Sequence, residues 1–254
     1  MKLTEDITYR RGFGDILAEG IQQASKTIGR GSEKLAVLIK GAELNEGRMR
    51  SHRAWALGIM TSPRGGGHLD GAPGVEGVDL DSELSNSVYG IPNLGNATAY
   101  EHKAKAVVWI ERLKMLVDML GLCCFASVWQ DPSALAPEDF SQLYSEATGD
   151  NKSAETLLSI AEKAINIEKA FNTLHANFTR EDDYPPPRLL EEPIKSGTFK
   201  GTVIQRSKWD RMLDEYYELH GWDKGTGLQT ASRLRELGLG DIANRLAGKG
   251  RLIQ

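Results

Sequence analysis

Two stretches of this sequence carry residue types that could do chemistry. The first runs Asp118-Met119-Leu120-Gly121-Leu122-Cys123-Cys124 and holds the only two cysteines of the chain. Neighbouring cysteines cannot close a useful loop, which removes a disulfide framework. A carboxylate ahead of a glycine stop, with a thiol just past it, can instead hold a ligand's amino groups and a metal. The plain alternative is a polar helix end under a glycine cap. Counting limits what the chain can bind alone. A structural zinc site needs four Cys or His ligands and an all-cysteine iron–sulfur cluster needs four thiolates. His52, His68, His102, His175 and His220 show no ligand spacing. If Cys123 is a ligand, its partners lie on other sequence.

The second stretch is Ser62-Pro63-Arg64-Gly65-Gly66-Gly67-His68. Three glycines let backbone approach a ligand closely, and Arg64 and His68 flank them. Histidine exchanges protons near neutral pH, so His68 is a candidate proton donor or acceptor. The plain alternative is a flexible turn with a surface histidine. A glycine run without a preceding strand is a weak phosphate-loop signal.

The elements that must position these residues read as helices. Residues 98–121 hold the strongest one: Ala106, Ile110, Leu113, Val117 and Leu120 make one apolar stripe and Gly121 ends it. Asp118 then sits in the last turn, where the helix dipole disfavours a carboxylate and Lys114 can compensate. Residues 14–29 read as one helix stopped by Gly29, with Leu17, Ile21 and Ile28 on its face. Residues 137–149 start at Pro137 and stop at Gly149. In residues 153–175, Leu157, Ala161, Ala164, Glu168, Phe171 and His175 fall near one imperfect face. Residues 207–221 open on a Ser-x-x-Asp signature, and two short helices follow. Residues 181–193 read as an extended, proline-fixed connection. Residues 33–41 are short and apolar, and helix and strand cannot be separated there by pattern. No alternating strand pattern occurs. The expected fold class is all-α, a multihelical and irregular domain with long connecting loops, which usually bind something.

Composition sets the outer bounds. The chain has 254 residues, 40% hydrophobic and 26% charged, with a net charge of −4. That is an ordinary globular balance with no electrostatic bias toward nucleic acid or an anionic membrane. No apolar run is long enough to span a bilayer, and the first residues lack a signal-peptide pattern. Two cysteines without a framework fit a reducing cytoplasm.

Five segments in order, "GFGDILAEG", "SPRGGGH", "DMLGLCCF", "FNTLHANFTREDDYPPPR" and "MLDEYYELHGWDKGTGLQT", resemble the C-terminal part of the tungsten-containing aldehyde:ferredoxin oxidoreductase family. The resemblance implies two helical domains after an N-terminal β-rich one. It implies a tungsten or molybdenum bis-pterin and a 4Fe–4S cluster in the intact enzyme, oxidation of small aldehydes to acids, and electron transfer to ferredoxin. Asp118, Gly121, Leu122 and Cys123 match the family's Asp-x-x-Gly-Leu-Cys motif. Asp118 would then hold one pterin with Gly121 and Leu122 beside it, and Cys123 would be the fourth cluster ligand. His68 matches a histidine implicated in substrate handling. Cys124 has no implied role beyond packing or a backbone contact.

The family's Cys-x-x-Cys-x-x-x-Cys run is absent, as are its first pterin motif and its acidic catalytic residue. The chain alone is therefore expected to bind no cofactor and to be inactive, with a missing N-terminal domain or companion chain as partner and further copies of itself as another. Residues 1–41 are expected to be the tail of the middle helical domain and residues 42–254 the C-terminal one. "SHRAW" and "HAN" depart from the family pattern and mark a divergent branch. Two further readings stand beside this one: an aryl-CoA reductase-type subunit of the same superfamily, and a cofactor-free helical interaction module. A helical DNA- or ligand-binding regulator fits poorly, because basic residues do not cluster on one face.

Overall fold

The computed structural model describes residues 2–44 and 47–254. The chain opens with α1 (Lys2–Thr8), α2 (Phe13–Leu17) and α3 (Gly20–Ile28), then a hairpin of β1 (Leu38–Ile39) and β2 (Ala42–Glu43). The strands are antiparallel, with Leu38 opposite Glu43 and Ile39 opposite Ala42. They form the one sheet among the described residues. Then come α4 (Arg53–Thr61), α5 (Ser82–Tyr89), α6 (Lys103–Met119), α7 (Pro137–Thr148), α8 (Ala154–His175), α9 (Pro187–Glu191), α10 (Arg206–His220), α11 (Ala231–Glu236) and α12 (Gly240–Ala247). The fold is all-α apart from the hairpin, as the periodicity predicts. No described helix is long and apolar enough to cross a membrane.

The centre is α6, which packs against α4, α8 and α10. Its stripe is buried as expected: Ala106, Ile110, Leu113 and Val117 are fully covered and Leu120 is half-buried. Each fully buried aliphatic side chain contributes about 1.5–3 kcal/mol, so this stripe is a large share of what holds the bundle. A smaller cluster of Ala170, Leu234, Ala243 and Leu246 seats α11 and α12 on the end of α8.

Helix α4 is buried over nearly its whole length, and its cap is supplied from far away. His52, at its N-cap, makes no side-chain cap bond. Instead the Glu76 carboxylate accepts the amides of Ala54 (3.0 Å) and Trp55 (2.7 Å). Glu76 also pairs with the buried Lys103 Nζ at 2.8 Å, at the first turn of α6. One carboxylate thus satisfies two orphan amides of α4 and ties the long loop before α5 to both helices.

Several sequence expectations change. Residues 14–29 are two helices, because Gly20 takes φ +82° and breaks the run. The segment 33–41 resolves into β1 and the hairpin turn at Gly41. The proline-rich 181–193 connection contains a 3₁₀ turn (Arg180–Asp183) and α9, which starts on Pro187 where a missing N–H costs nothing. Ser207 does not cap α10: the helix begins at Arg206 with Gln205 before it and no side-chain cap. On α8 the buried face runs Leu157, Ala161, Ile165, Ala170 and Thr173, while Glu168, Phe171 and His175 are exposed. The apolar pattern hides this face because it also buries Glu162 and Asn166. Glu162 pairs with Arg112 and Arg233, and Asn166 Oδ1 accepts Trp222 Nε1 and Gln229 Nε2.

Helices α1 to α3 bury little. Leu3, Tyr9, Phe13, Ile21 and Ile28 are exposed and Leu17 is half-buried.

Candidate functional site

The Asp118–Cys123 stretch is shaped by how α6 ends. Gly121 adopts φ +70°. The Gly121 amide donates to the Asp118 carbonyl and the Leu122 amide donates to the Val117 carbonyl, both at 3.0 Å. These paired bonds are a Schellman stop, which satisfies two of the last carbonyls and turns the chain out of the helix. Glycine is placed here because a left-handed residue with a Cβ costs about 1–2 kcal/mol. The turn leaves Asp118 on the last helical turn and sends Cys123 out in extended conformation.

Asp118 remains accessible, with 53% of its side chain exposed, and its one ion-pair partner among the described residues is Lys114. Met119, Leu122 and Phe125 are also exposed around it. Cys123 is exposed and Cys124 is buried. Burial pushes the Cys124 thiol up to about 11, against the opposing pull of the Ser127 hydroxyl and Lys114. Cys124 is therefore a neutral core residue, lying over a turn in which Ser127 Oγ donates to the Cys124 carbonyl at 2.6 Å. The structure separates two cysteines that sequence leaves equivalent in type: one thiol is available and the other is packing.

The glycine run has a different use from the one its composition suggests. Gly65 and Gly66 both take positive φ, and a Cβ on either would collide with the carbonyl of Ile39 or of Glu43. Their close approach is to the hairpin. Gly58 and Gly71 continue the pattern, because a Cβ on Gly58 would strike the Gly71–Ala72 backbone. The loop is thus clamped between hairpin and α4. Asp70 ties it to itself, accepting from Ser62 Oγ at 2.6 Å and Arg64 Nη2 at 2.8 Å, and Asn172 of α8 donates to the Pro63 carbonyl at 2.8 Å.

His68 emerges from this clamp against Trp55, with ring centroids 5.0 Å apart and planes 18° from parallel. Its Nδ1 is buried without a hydrogen-bond partner among the described residues. Trp129 stacks 6.4 Å from His68, and Phe125 stands edge-on to Trp129 at 5.1 Å. Trp129 Nε1 donates to the Ala72 carbonyl at 2.7 Å, which fixes the indole between the two loops. On the other flank, Arg64 is bound to Asp70 and also feels the charges of Asp118 and Glu168. His68 thus connects through Trp129 to Phe125 of the turn after the cysteines, and Asp118 shares a hollow with Asp70, the partner of Arg64. Trp55, Trp129 and Asp70 were not singled out from sequence. Trp129 follows the cysteine pair by only a few residues, but no spacing rule pointed it at His68.

The site adjoins two hollows. One of about 340 Å³ is lined by Glu43, Arg64, Gly65–Gly67, His68 and Leu69. The other, between α6, α8 and α10, has Asp70, Lys114 and Asp118 on its wall. Among the described residues no group of three or more His, Cys, Asp or Glu could hold a metal ion.

Residues 1–239 match the family model for aldehyde ferredoxin oxidoreductase, domains 2 and 3. The chain belongs to this family. It is similar to the tungsten-containing aldehyde ferredoxin oxidoreductase of Pyrococcus furiosus, with 30% identity over 239 residues, covering 94% of the chain and 36% of that protein. The corresponding Pyrococcus abyssi protein is 32% identical over 234 residues, covering 92% and 35%. The chain thus spans about a third of the length of the curated relatives it matches. The fold is also similar to that of the active site complex BamBC of benzoyl coenzyme A reductase in complex with 1,5-dienoyl-CoA, with TM-score 0.70 and 20% identity, covering 98% of this chain and 40% of that one. This family of oxidoreductases supplies the frame for the site residues described above.

Proposed function

We propose that this chain is the C-terminal part of an aldehyde-oxidising oxidoreductase that carries a tungsten or molybdenum bis-pterin and a 4Fe–4S cluster when whole. The observation that carries the reading is the Schellman turn. It presents one exposed carboxylate before the glycine and one exposed thiol after it. The donor set fits the cofactors. Asp118 would accept from the N–H groups of a pterin, and the exposed Cys123, unlike the buried Cys124, would supply the cluster's thiolate. The buried, unpartnered Nδ1 of His68 is also a polar atom left for something outside the described residues. The exposed Met119, Leu122 and Phe125 give a metal–sulfur centre an apolar border that tunes its potential.

Bound, these groups supply two-electron oxidation and onward one-electron transfer, with ferredoxin as the acceptor. The chain's own part is positional. Lys114 pairs with Asp118 and offsets the negative end of α6 beside it. The Trp55 and Trp129 rings hold the His68 imidazole in one plane, so that a proton can be passed to or from a bound aldehyde or acid within hydrogen-bond reach. The aldehyde reading is favoured over aryl-CoA reduction because the relatives at 30–32% identity are aldehyde enzymes. Residues 1–41 are the tail of the preceding helical domain, which supplies cover for Ile21 and Ile28.

The test is metal, iron and pterin analysis of natively purified complex holding the remaining two-thirds of the enzyme. Cys123→Ser is expected to lose cluster iron while Cys124→Ser retains it, and His68→Ala to keep both cofactors but lose about 10²–10⁴-fold in kcat. Full iron content in Cys123→Ser would refute the ligand assignment.

A further inference from the structure

Glu76 stands in the loop between α4 and α5, downstream of His68, with its side chain enclosed. Its carboxylate reaches back to the first turn of α4, where Oε1 accepts the Ala54 amide at 3.0 Å and Oε2 accepts the Trp55 amide at 2.7 Å. Trp55 is the residue whose ring carries the His68 imidazole, 5.0 Å away and 18° from parallel. The two indoles beside His68 are held differently. Trp129 is tethered through its own Nε1, which donates to the Ala72 carbonyl. Trp55 Nε1 is buried and has no hydrogen-bond partner among the described residues. The Trp55 ring is therefore aimed by its packing and its backbone, and the side chain that bonds that backbone is Glu76.

The carboxylate is fixed in turn from α6. Lys103, in the first turn of α6 and 1% exposed, pairs with Glu76 Oε1 at 2.8 Å and donates to the Leu94 carbonyl at 2.9 Å. The loop between His68 and Glu76 is held as well. The Ala72 amide donates to the His68 carbonyl at 3.1 Å, and a Cβ on Gly74 would stand 2.7 Å from the Trp129 carbonyl oxygen. A helix start is capped more simply by a local Ser, Thr, Asp or Asn. A buried ion pair adds little stability, because desolvation offsets most of its attraction. What a buried, multiply bonded carboxylate provides is one allowed arrangement, since the alternatives leave buried donors unpaired. The arrangement it imposes here is the angle at which Trp55 meets His68.

We propose that Glu76 is a positioning residue for the His68 imidazole, acting through the Trp55 amide. Enclosed as it is, Glu76 meets no substrate itself. It sets the plane of the ring on which the imidazole rests, and so the direction of the ring nitrogens. The consequence for turnover rests on the reading of His68 as the proton-transferring group, whereas the geometry belongs to this chain alone. Helix α6 then serves both parts of the site: Lys103 at its first turn holds the Glu76–Trp55–His68 series, and Asp118 leaves its last turn.

The test is Glu76→Gln, which keeps the shape of the side chain and one acceptor oxygen but removes the other acceptor and the charge that pairs with Lys103. In NMR spectra of the full chain, the His68 ring resonances, assigned by their loss in His68→Gln, are expected to shift. The nuclear Overhauser contacts between the His68 and Trp55 rings are expected to weaken. Leu234→Ala is the control: it opens the small core cluster under α11 and α12 and should leave those resonances in place. In the complex holding the remaining two-thirds of the enzyme, kcat should fall about tenfold to a hundredfold, the scale of a small misplacement, with KM for the aldehyde unchanged. Unmoved His68 resonances in folded Glu76→Gln, or an equal shift in Leu234→Ala, would overturn the proposal. Shifted resonances with an unaltered kcat would uphold the positioning and remove His68 from proton transfer. The native chain gives a reading that needs no variant. Its Trp55 amide should exchange with solvent as slowly as the core amides of α6, and exchange at the rate of an unbonded first-turn amide would overturn the proposal.

Discussion

Iodoacetamide should distinguish the two adjacent cysteines by more than two orders of magnitude. The thiolate is the reacting species, and an ordinary cysteine with pKa about 8.5 is roughly one-quarter ionised at pH 8. Cys124, pushed to about 11 by burial, is ionised in about one molecule in a thousand at that pH. The ratio is about 200-fold before access is counted, and Cys124 is only 6% exposed. The assay uses Cys123→Ser and Cys124→Ser separately, so that each variant reports one thiol, with urea-unfolded samples as the common reference. Both thiols should react alike when unfolded. If native Cys124 reacts within tenfold of native Cys123, the division into one available thiol and one packed thiol is wrong. The same shift sets a stability trend. The folded pKa of Cys124 lies above its unfolded value, so the folded state keeps the proton longer. Its contribution is full below about pH 8.5 and is lost as pH rises through about 11, by about 3 kcal/mol in total. Urea unfolding at pH 7 and pH 10 should show a smaller pH loss in Cys124→Ala than in the native chain.

Gly121→Ala should lower stability by about 1–2 kcal/mol through backbone strain alone, because a Cβ there meets nothing within 4 Å; a Tm equal to the native value would refute the Schellman assignment. Trp129→Leu should cost about 3 kcal/mol and move the His68 imidazole resonances in NMR, since it removes both the stacked ring and the bond to Ala72; unmoved resonances would show the two loops to be uncoupled. Glu111→Ala should cost about 3–5 kcal/mol, because it strands buried Tyr216 and His220, and Glu111→Gln should cost less. Equal losses for the two Glu111 variants in denaturant unfolding would mean the carboxylate is not the shared acceptor.

What sequence conveys here follows from what is local. The α6 stripe, its glycine stop and the Pro137 and Gly149 boundaries are written in neighbouring residues, and all stand in the structure. The cap of α4 is not local: Glu76 lies more than twenty residues from the amides it satisfies, so residues 53–61 carry no start signal of their own. The α8 face is hidden in the sequence for a related reason. Asn166 and Glu162 look like solvent-facing residues until Trp222, Gln229, Arg112 and Arg233 arrive from other segments to bond them. At the site, residue types pointed to Asp118, Cys123 and His68, while the glycine run suggested a ligand cradle where the chain uses Gly65 and Gly66 to pack on a hairpin. Trp129, which links His68 to the cysteine turn, has no local mark at all.

The placement of Asp118 follows from where α6 is fixed. Glu111 precedes Asp118 by seven residues and lies on nearly the same helical face. Glu111 is buried and bound from α10 by two side chains, so that turn of α6 cannot rotate without stranding three polar groups. Lys114, between them, reaches forward to Asp118. An apolar stripe alone would tolerate slippage, because neighbouring aliphatic packings differ little in free energy. A bonded carboxylate tolerates much less, because its alternatives leave buried acceptors and donors unpaired. The polar interior of this bundle therefore sets the register in which the exposed carboxylate and, one glycine turn later, the exposed thiol leave the helix. Under the proposed function, a pterin at Asp118 and a cluster at Cys123 would both depend on that register.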